Sequence, residues 1–507
     1  MGVKTKISSK AVYEFYKELE KYNIENHALI MLKDGETVFE NYVYPYSADM
    51  QHTLFSVTKS IVSTAVGFAI DEGLLSLDDK IINIFSDFPH NQDEEWDRLT
   101  LRHVLTMQSN KEFSFTQDMT GDYVRMFMEA PFRKTGRGFL YSNNDAHVAA
   151  AAVQKVAGMN LVDYLTPRLF EPLEIEKPFW ETNFLGENIG GTGCYLKLRD
   201  LAKICQCYAD GGKWNGEQII PEWWTKEATR LQVEHENGKD NGYGYLFWIS
   251  NGRFSMDGIF GQRVTYIPEY NAIVASFNSC VNDGDFTTPF EKILPNAFCE
   301  TCGSEWDEKL QIHLESLNKK PVKCDKLPEI PTGRKFYLTS VSDVLAKIIF
   351  PASLIPRSLT SSFAKRPKSN LDEVSFEVTD DVFTVKWKEE EDEVVINCGL
   401  DGEPRFSECS IKGYQYKIWA YAFMKDGKLN AVVKPINTLS TQYIEFTFGE
   451  KAVKLQFKCT PSFVDFIAKN ADQSPFIKKS GKAKPLLMKI VRKALGTTEM
   501  PMTFKSR

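Results

Sequence analysis

The run Ile61–Ile70 (IVSTAVGFAI) is apolar around the whole circumference of a helix, so it folds only as a helix enclosed by other elements. Two polar residues stand just before it. Ser56 follows an apolar strand end, where a helix N-terminus is expected, and Lys59 lies three residues on. Both side chains then emerge on one helical face, a turn apart. A lysine on the first turn of a buried helix is partly desolvated, which is costly unless the group is used. Ser-x-x-Lys alone is a frequent coincidence of a capping serine and a surface lysine; the flanking sequence sets this copy apart.

The pairing solves a chemical problem. Serine is a poor nucleophile near neutral pH unless a neighbouring base takes its proton. Lysine becomes that base only when burial or nearby positive charge lowers its pKa, and a helix N-terminus supplies part of that field. The exposed N–H groups there also stabilise an oxyanion formed at the serine. A second cluster, Tyr141-Ser142-Asn143, opens another apolar, alanine-rich helical run (NDAHVAAAAV). A tyrosine near a cationic lysine shuttles protons, and the Asn143 amide binds a substrate carbonyl and Lys59 together.

Around these motifs the patterning is mixed. HALIMLKDGETVFENYVY reads as a hairpin turning at Asp34-Gly35, and helical patterns follow in 56–71, 100–107, 144–156 and 198–210. Strand patterns return in GYLFWIS, GQRVTYI and NAIVASF. This order predicts a mixed α/β (α+β) fold: an antiparallel sheet built from both ends of the segment, flanked by helices, with a helical region inserted around Tyr141. Residues 1–304 are expected to form this domain and 305–370 a connector rich in Lys, Pro and Ser, with a helical piece in SVSDVLAKIIF. Residues 371–507 are expected to form a β-rich barrel or sandwich, with a hairpin on Asp426-Gly427 and another around Gly449-Glu450. The tail KKSGKAKPLLMKIVRKALG reads as a basic amphipathic helix packed on the barrel or solvated.

Composition narrows the class. A net charge of −7 over 507 residues argues against a general nucleic-acid binder. No run approaches ~18 uninterrupted apolar residues, so no membrane span is expected. The polar start MGVKTKISSKAVYEFYKELEKYN reads as an amphipathic helix, and a cytoplasmic location is expected. The cysteines, including the Cys205/Cys207 and Cys299/Cys302 pairs, read as reduced thiols without a convincing zinc pattern.

Ser56-x-x-Lys59 followed by Tyr141-x-Asn143 resembles the serine β-lactamase and penicillin-binding-protein superfamily. DEGLLSLDDKI, LTLRHVLTMQSN, LFEPLEI, GGTGCYLKLRDLAKI and GGKWNGEQIIPEWW are similar to successive landmarks of its class-C-like, esterase and peptidase branch, over about residues 25–285. The C-terminal part loosely resembles the lipocalin-like appendages of some members.

The resemblance implies that Ser56 is the nucleophile, with Lys59 and Tyr141 as its proton-transfer partners. It also places FSMDGIFGQRVTYIP on the late strand that usually carries Lys-Thr-Gly, so Asp257-Gly258-Ile259 stands at that motif. Lys134-Thr135-Gly136 is then a decoy, since it precedes Tyr141. Gly258 permits close backbone approach of a substrate, and the Ile259 N–H joins that of Ser56 as an oxyanion hole. Gly261-Gln262 resembles the Gly-Gln that follows this motif in esterase, peptidase and amide-hydrolase branches. An acidic Asp257 repels the carboxylate of β-lactams and D-amino-acid peptides unless another cation lies close. Asn110 stands where the family commonly has glycine, with only a loop effect expected. His52, His103 and His147 are not expected to be catalytic.

The expected activity is hydrolysis of a small-molecule ester or amide through an acyl-enzyme on Ser56, with no metal or cofactor implied and homo-oligomerisation left open. The alternatives are a D-amino-acid peptidase or β-lactam-interacting enzyme, supported by a nearby Arg or Lys, and a catalytically silent ligand-binding homologue.

Overall fold

The computed structural model describes residues 7–112, 122–134, 138–235, 241–298, 304–318, 321–324, 326–338, 371–389, 392–411, 414–460, 485 and 502–506. The helical piece SVSDVLAKIIF, the Cys299/Cys302 pair and nearly all of the basic tail lie outside these residues. So do Thr135 and Gly136 of the decoy motif. The chain divides into two compact units, one drawn mainly from Met1–Asn278 and Gly284–His313, the other mainly from residues beyond 314.

The first unit holds an antiparallel sheet of eight strands: β1 (Glu25–Lys33), β2 (Glu36–Tyr42), β3 (Val233–Glu234), β4 (Asn241–Tyr243), β5 (Trp248–Ser250), β6 (Arg253–Gly258), β7 (Gln262–Ile267) and β8 (Ala272–Ser279). Their spatial order is β2-β1-β8-β7-β6-β5-β4-β3, so the N-terminal hairpin docks beside the last strand in sequence. Asp34 and Gly35 both take positive φ (52° and 77°), the backbone that a two-residue turn requires. GYLFWIS is a shorter strand than its pattern predicts. Leu246 has φ 63°, and only Trp248–Ser250 joins the ladder.

The apolar run after Lys59 is the helix α1 (Thr58–Asp71), buried from Thr58 to Ala69 as its composition requires. It packs against α2 (Asn143–Ala157), whose buried alanines 146 and 149–152 allow close approach of the two helices. A single core joins these helices to one face of the sheet through Ile61, Val62, Val148, Phe254 and Met256. Among the described residues, no helix is long and apolar enough to cross a membrane.

The second unit is a β-barrel. Nine strands form a ring, from Asp392–Gly399 through Met502–Ser506 to Tyr414–Lys425, closed by a bridge between Gly399 and Tyr421. Alternation fills its interior: Val374 and Phe376, Phe383, Val385 and Trp387, and Ile418, Ala420 and Ala422 all face the core. Lys335–Leu338, inside the stretch read as connector, is one of the ring strands, paired with Leu371–Val378 and Met502–Ser506. Its four residues bury only Phe336 fully, a pattern too short to register between Pro-rich flanks. Ser304–Leu317 is a helix.

Candidate active site

Ser56 lies in a 3-10 turn, Phe55–Val57, that runs directly into α1. The preceding Phe55 has φ 48°, an uncommon conformation for a bulky residue and a local strain immediately before Ser56. One turn further, Lys59 is 1% exposed. Its Nζ donates to Ser56 Oγ (2.8 Å), Asn143 Oδ1 (2.7 Å) and the Gly191 carbonyl (2.6 Å). Burial pushes the Lys59 pKa well below the ordinary lysine value. Three neutral acceptors favour the ammonium, yet among the described residues no carboxylate forms an ion pair with it, so desolvation dominates.

Asn143 owes its position to the start of α2. The Ser142 hydroxyl caps this helix by accepting from Asn144 N and Asp145 N, which leaves the Asn143 side chain free to reach Lys59. The Gly191 carbonyl arrives because two glycines let the chain lie against α2. A Cβ on Gly190 would fall 2.4 Å from Ala150 Cβ, and one on Gly191 2.9 Å from the Asn143 carbonyl. Tyr141 places its ring 4.9 Å from Lys59 Nζ. That ring is stacked on Trp248 (5.4 Å, 22°) and meets Tyr243 edge-on.

The late strand closes the other side. A Cβ on Gly258 would lie 2.4 Å from the Leu54 carbonyl and 3.2 Å from Ser56 N, so only glycine lets β6 approach the Ser56 turn this closely. Ile259–Gly261 forms a 3-10 turn in which Phe260 takes φ 67°, and the Phe260 ring packs edge-on against Phe55 at 5.2 Å. Gln262 is fully buried: its Nε2 donates to the carbonyls of Phe260 (3.1 Å) and Asn278 (2.7 Å), while Asn278 Nδ2 donates to the Gly261 carbonyl (2.6 Å). Gln262 thus holds the Ile259–Gly261 turn from within. Asp257 stands opposite Arg263, which holds it with Nε (2.6 Å) and Nη2.

The three histidines have other engagements. His52 is buried with its pKa lowered to about 4 by desolvation, donating through Nδ1 to its neighbour's carbonyl (2.9 Å) and meeting His27 through Nε2. His103 bonds Thr100 in a capping box, and His147 Nδ1 accepts from Gly190 N. Asn110 takes φ 61°, which explains an asparagine where glycine is usual.

Three contributors escaped the sequence reading, together with the role of Trp248, which the sequence marks only as one of several aromatics able to line a cleft. The Gly190-Gly191 pair was a usable signal for a carbonyl at close range. Arg263 was legible from register, since 257 and 263 flank a short turn symmetrically. Trp248 as the support of Tyr141 depends on distant strands, and Asp145 on burial. The Asp145 carboxyl accepts from Ser109 Oγ (2.8 Å), and burial pushes its pKa up to about 7.

The family model described as Beta-lactamase matches residues 14–286. The 6-aminohexanoate-dimer hydrolase of Paenarthrobacter ureafaciens is 25% identical over 289 residues, covering 50% of this chain and 72% of that protein. A penicillin binding protein structure from Bacillus halodurans aligns with 55% of this chain and 99% of its own, at 17% identity and TM-score 0.45. The octameric penicillin-binding protein homologue from Pyrococcus abyssi aligns with 88% of this chain and 97% of its own, at 15% identity and TM-score 0.46.

Proposed function

We propose, on the premise that the chain belongs to the beta-lactamase family, that it is a serine hydrolase cleaving a small-molecule ester or amide through an acyl-enzyme on Ser56. The observation that carries this reading is the 2.8 Å contact between a buried, pKa-depressed Lys59 and Ser56 Oγ. Neutral Lys59 takes the Ser56 proton as Oγ attacks the substrate carbonyl carbon. The developing oxyanion lies between the N–H groups of Ser56 and Ile259. As the tetrahedral species collapses, the C–O or C–N bond breaks and the leaving group takes a proton from Tyr141 or Lys59. Water then attacks the acyl-enzyme, with the same pair acting as base. Similarity to a 6-aminohexanoate-dimer hydrolase supports a linear amide of modest size among the substrates.

The test is intact-mass spectrometry after exposure to a fluorophosphonate, comparing wild type with Ser56→Ala. One adduct on wild type, mapped to the Ser56 peptide and absent from the variant, is the expected outcome. A folded wild-type sample that takes up no adduct would overturn the proposal.

A further inference from the structure

The strand pair β6–β7, which reaches Ser56 through Gly258, carries one guanidinium between two carboxylates. Arg263 grips Asp257 through Nε and Nη2, and its Nη1 donates to Glu291 Oε1 at 2.8 Å. The Arg263 side chain is 12% exposed and that of Asp257 20%, so this fork-to-fork pair is largely withdrawn from solvent.

Strand register tells which face the group occupies. Ser255 lies opposite Trp248, so Trp248 shares the sheet face of Ser255 and of Asp257 two residues on. Trp248 is the ring on which Tyr141 stacks, and Tyr243, opposite Trp248, packs against both rings. Burial pushes the Tyr243 hydroxyl well above its usual pKa, and the charges of Tyr141 and Asp257 add to the effect, which places Asp257 within electrostatic reach. Phe254 and Met256, on the opposite face, enter the core. Asp257 is therefore on the face that supports Tyr141, one residue before the backbone that touches Ser56.

We propose that Asp257 masks Arg263 and so sets specificity: substrates whose acyl chain is neutral or cationic are accepted, and those whose acyl chain ends in a carboxylate are refused. The inference rests on the Ser56 hydrolase reading and deepens it by naming the substrate class. An incoming carboxylate meets a guanidinium whose fork is already filled by Asp257, in a group whose charges sum to one net negative. Arg263 is a carboxylate receptor held out of use. Asp257→Asn removes the charge and leaves one acceptor oxygen, so one donor of the Arg263 Nε/Nη2 edge opens to a ligand, while Glu291 keeps the guanidinium anchored.

The test compares kcat/KM for p-nitrophenyl hexanoate and mono-p-nitrophenyl adipate, equal in chain length and different in terminal charge, at constant ionic strength. Wild type is expected to favour the hexanoate. Asp257→Asn is expected to raise the adipate-to-hexanoate ratio about tenfold or more, the effect of one hydrogen bond to a charged group. Adding Arg263→Gln is expected to return the ratio to the wild-type level. Glu291→Gln, on a half-exposed side chain, is expected to shift it the same way by less, and serves if Asp257→Asn does not fold. A ratio that stays within about twofold of wild type in Asp257→Asn, or in Glu291→Gln used in its place, overturns the inference while leaving the hydrolase intact. So does a raised ratio that survives Arg263→Gln. Wild type that turns over neither ester and takes up no fluorophosphonate overturns the hydrolase reading, and this inference with it.

Discussion

Adding one methyl group at Gly258 isolates the contribution of strand placement to the proposed chemistry. Gly258 has φ −122° and ψ 151°, a backbone any residue adopts, so alanine there introduces no torsional strain. The cost is steric. The new Cβ would sit 2.4 Å from the Leu54 carbonyl and 3.2 Å from Ser56 N. Restoring an ordinary separation of ~3.4 Å requires β6 and the Ser56 turn to part by about 1 Å. The partner atoms are backbone, held by the ladder on one side and α1 on the other, so no side-chain rotation relieves the contact. A shift of this size moves the Ile259 N–H relative to Ser56, and misplacement by ~1 Å costs on the order of 10²-fold in rate. The overpacking itself costs about 1–3 kcal/mol of stability. The assay is the second-order rate of fluorophosphonate labelling of Gly258→Ala against wild type, with urea denaturation of the same samples to separate the two effects. Labelling at the wild-type rate by a folded variant would refute the argument that this close approach builds the oxyanion site.

In the proposed mechanism Lys59 is the base only when neutral, and its pKa is depressed by burial, so kcat/KM is expected to fall as pH is lowered through that depressed value. A pH–rate profile with no acid limb attributable to Lys59, unchanged in Lys59→Met, would contradict this role. Burial raises the Asp145 carboxyl from the ordinary carboxylate range to about 7, so the native state holds this proton more tightly than the unfolded chain does. Its contribution to stability is present at low pH and is lost as pH rises toward and through about 7. The Tm of wild type relative to Asp145→Asn should therefore decline from pH 5 to pH 8, and parallel Tm profiles would reject the assignment. At Asn110, φ 61° makes Asn110→Ala about 1 kcal/mol less stable than Asn110→Gly, since both variants lose the bond to the Arg133 carbonyl and only alanine meets the left-handed penalty. Equal denaturation midpoints would show that the backbone relaxes.

Much of the site was legible because it is local. Ser56 and Lys59 are one helical turn apart, and the apolar run behind them dictates burial without reference to the rest of the chain. Asn143 followed from a helix start that its own neighbours specify. Asp34-Gly35 and Asp426-Gly427 announced their hairpins through backbone preference, and both pairs take positive φ. The GYLFWIS run was misjudged in length because the left-handed Leu246 inside it answers to packing rather than to alternation. Lys335–Leu338 was hidden because a four-residue strand carries too few residues to show a period, and its partners lie at residues 371–378 and 502–506.

Sequence alone was enough to mark which groups carry the proposed chemistry, that Lys59 would be at least partly desolvated, and that a helix-flanked antiparallel sheet would precede a β-rich barrel or sandwich. These follow from spacing and polarity, which act over a turn of helix or a pair of residues. Tertiary structure alone decided that the Gly191 carbonyl becomes the third acceptor on Lys59, that Trp248 supports Tyr141, that the second unit closes into a barrel, and that Gln262 turns inward to brace the Ile259–Gly261 turn. It also decided that Arg263 spends its charge on Asp257 and Glu291. Each of these depends on strands and helices distant in sequence meeting at a particular register, and register is settled by packing of the whole core rather than by any segment within it.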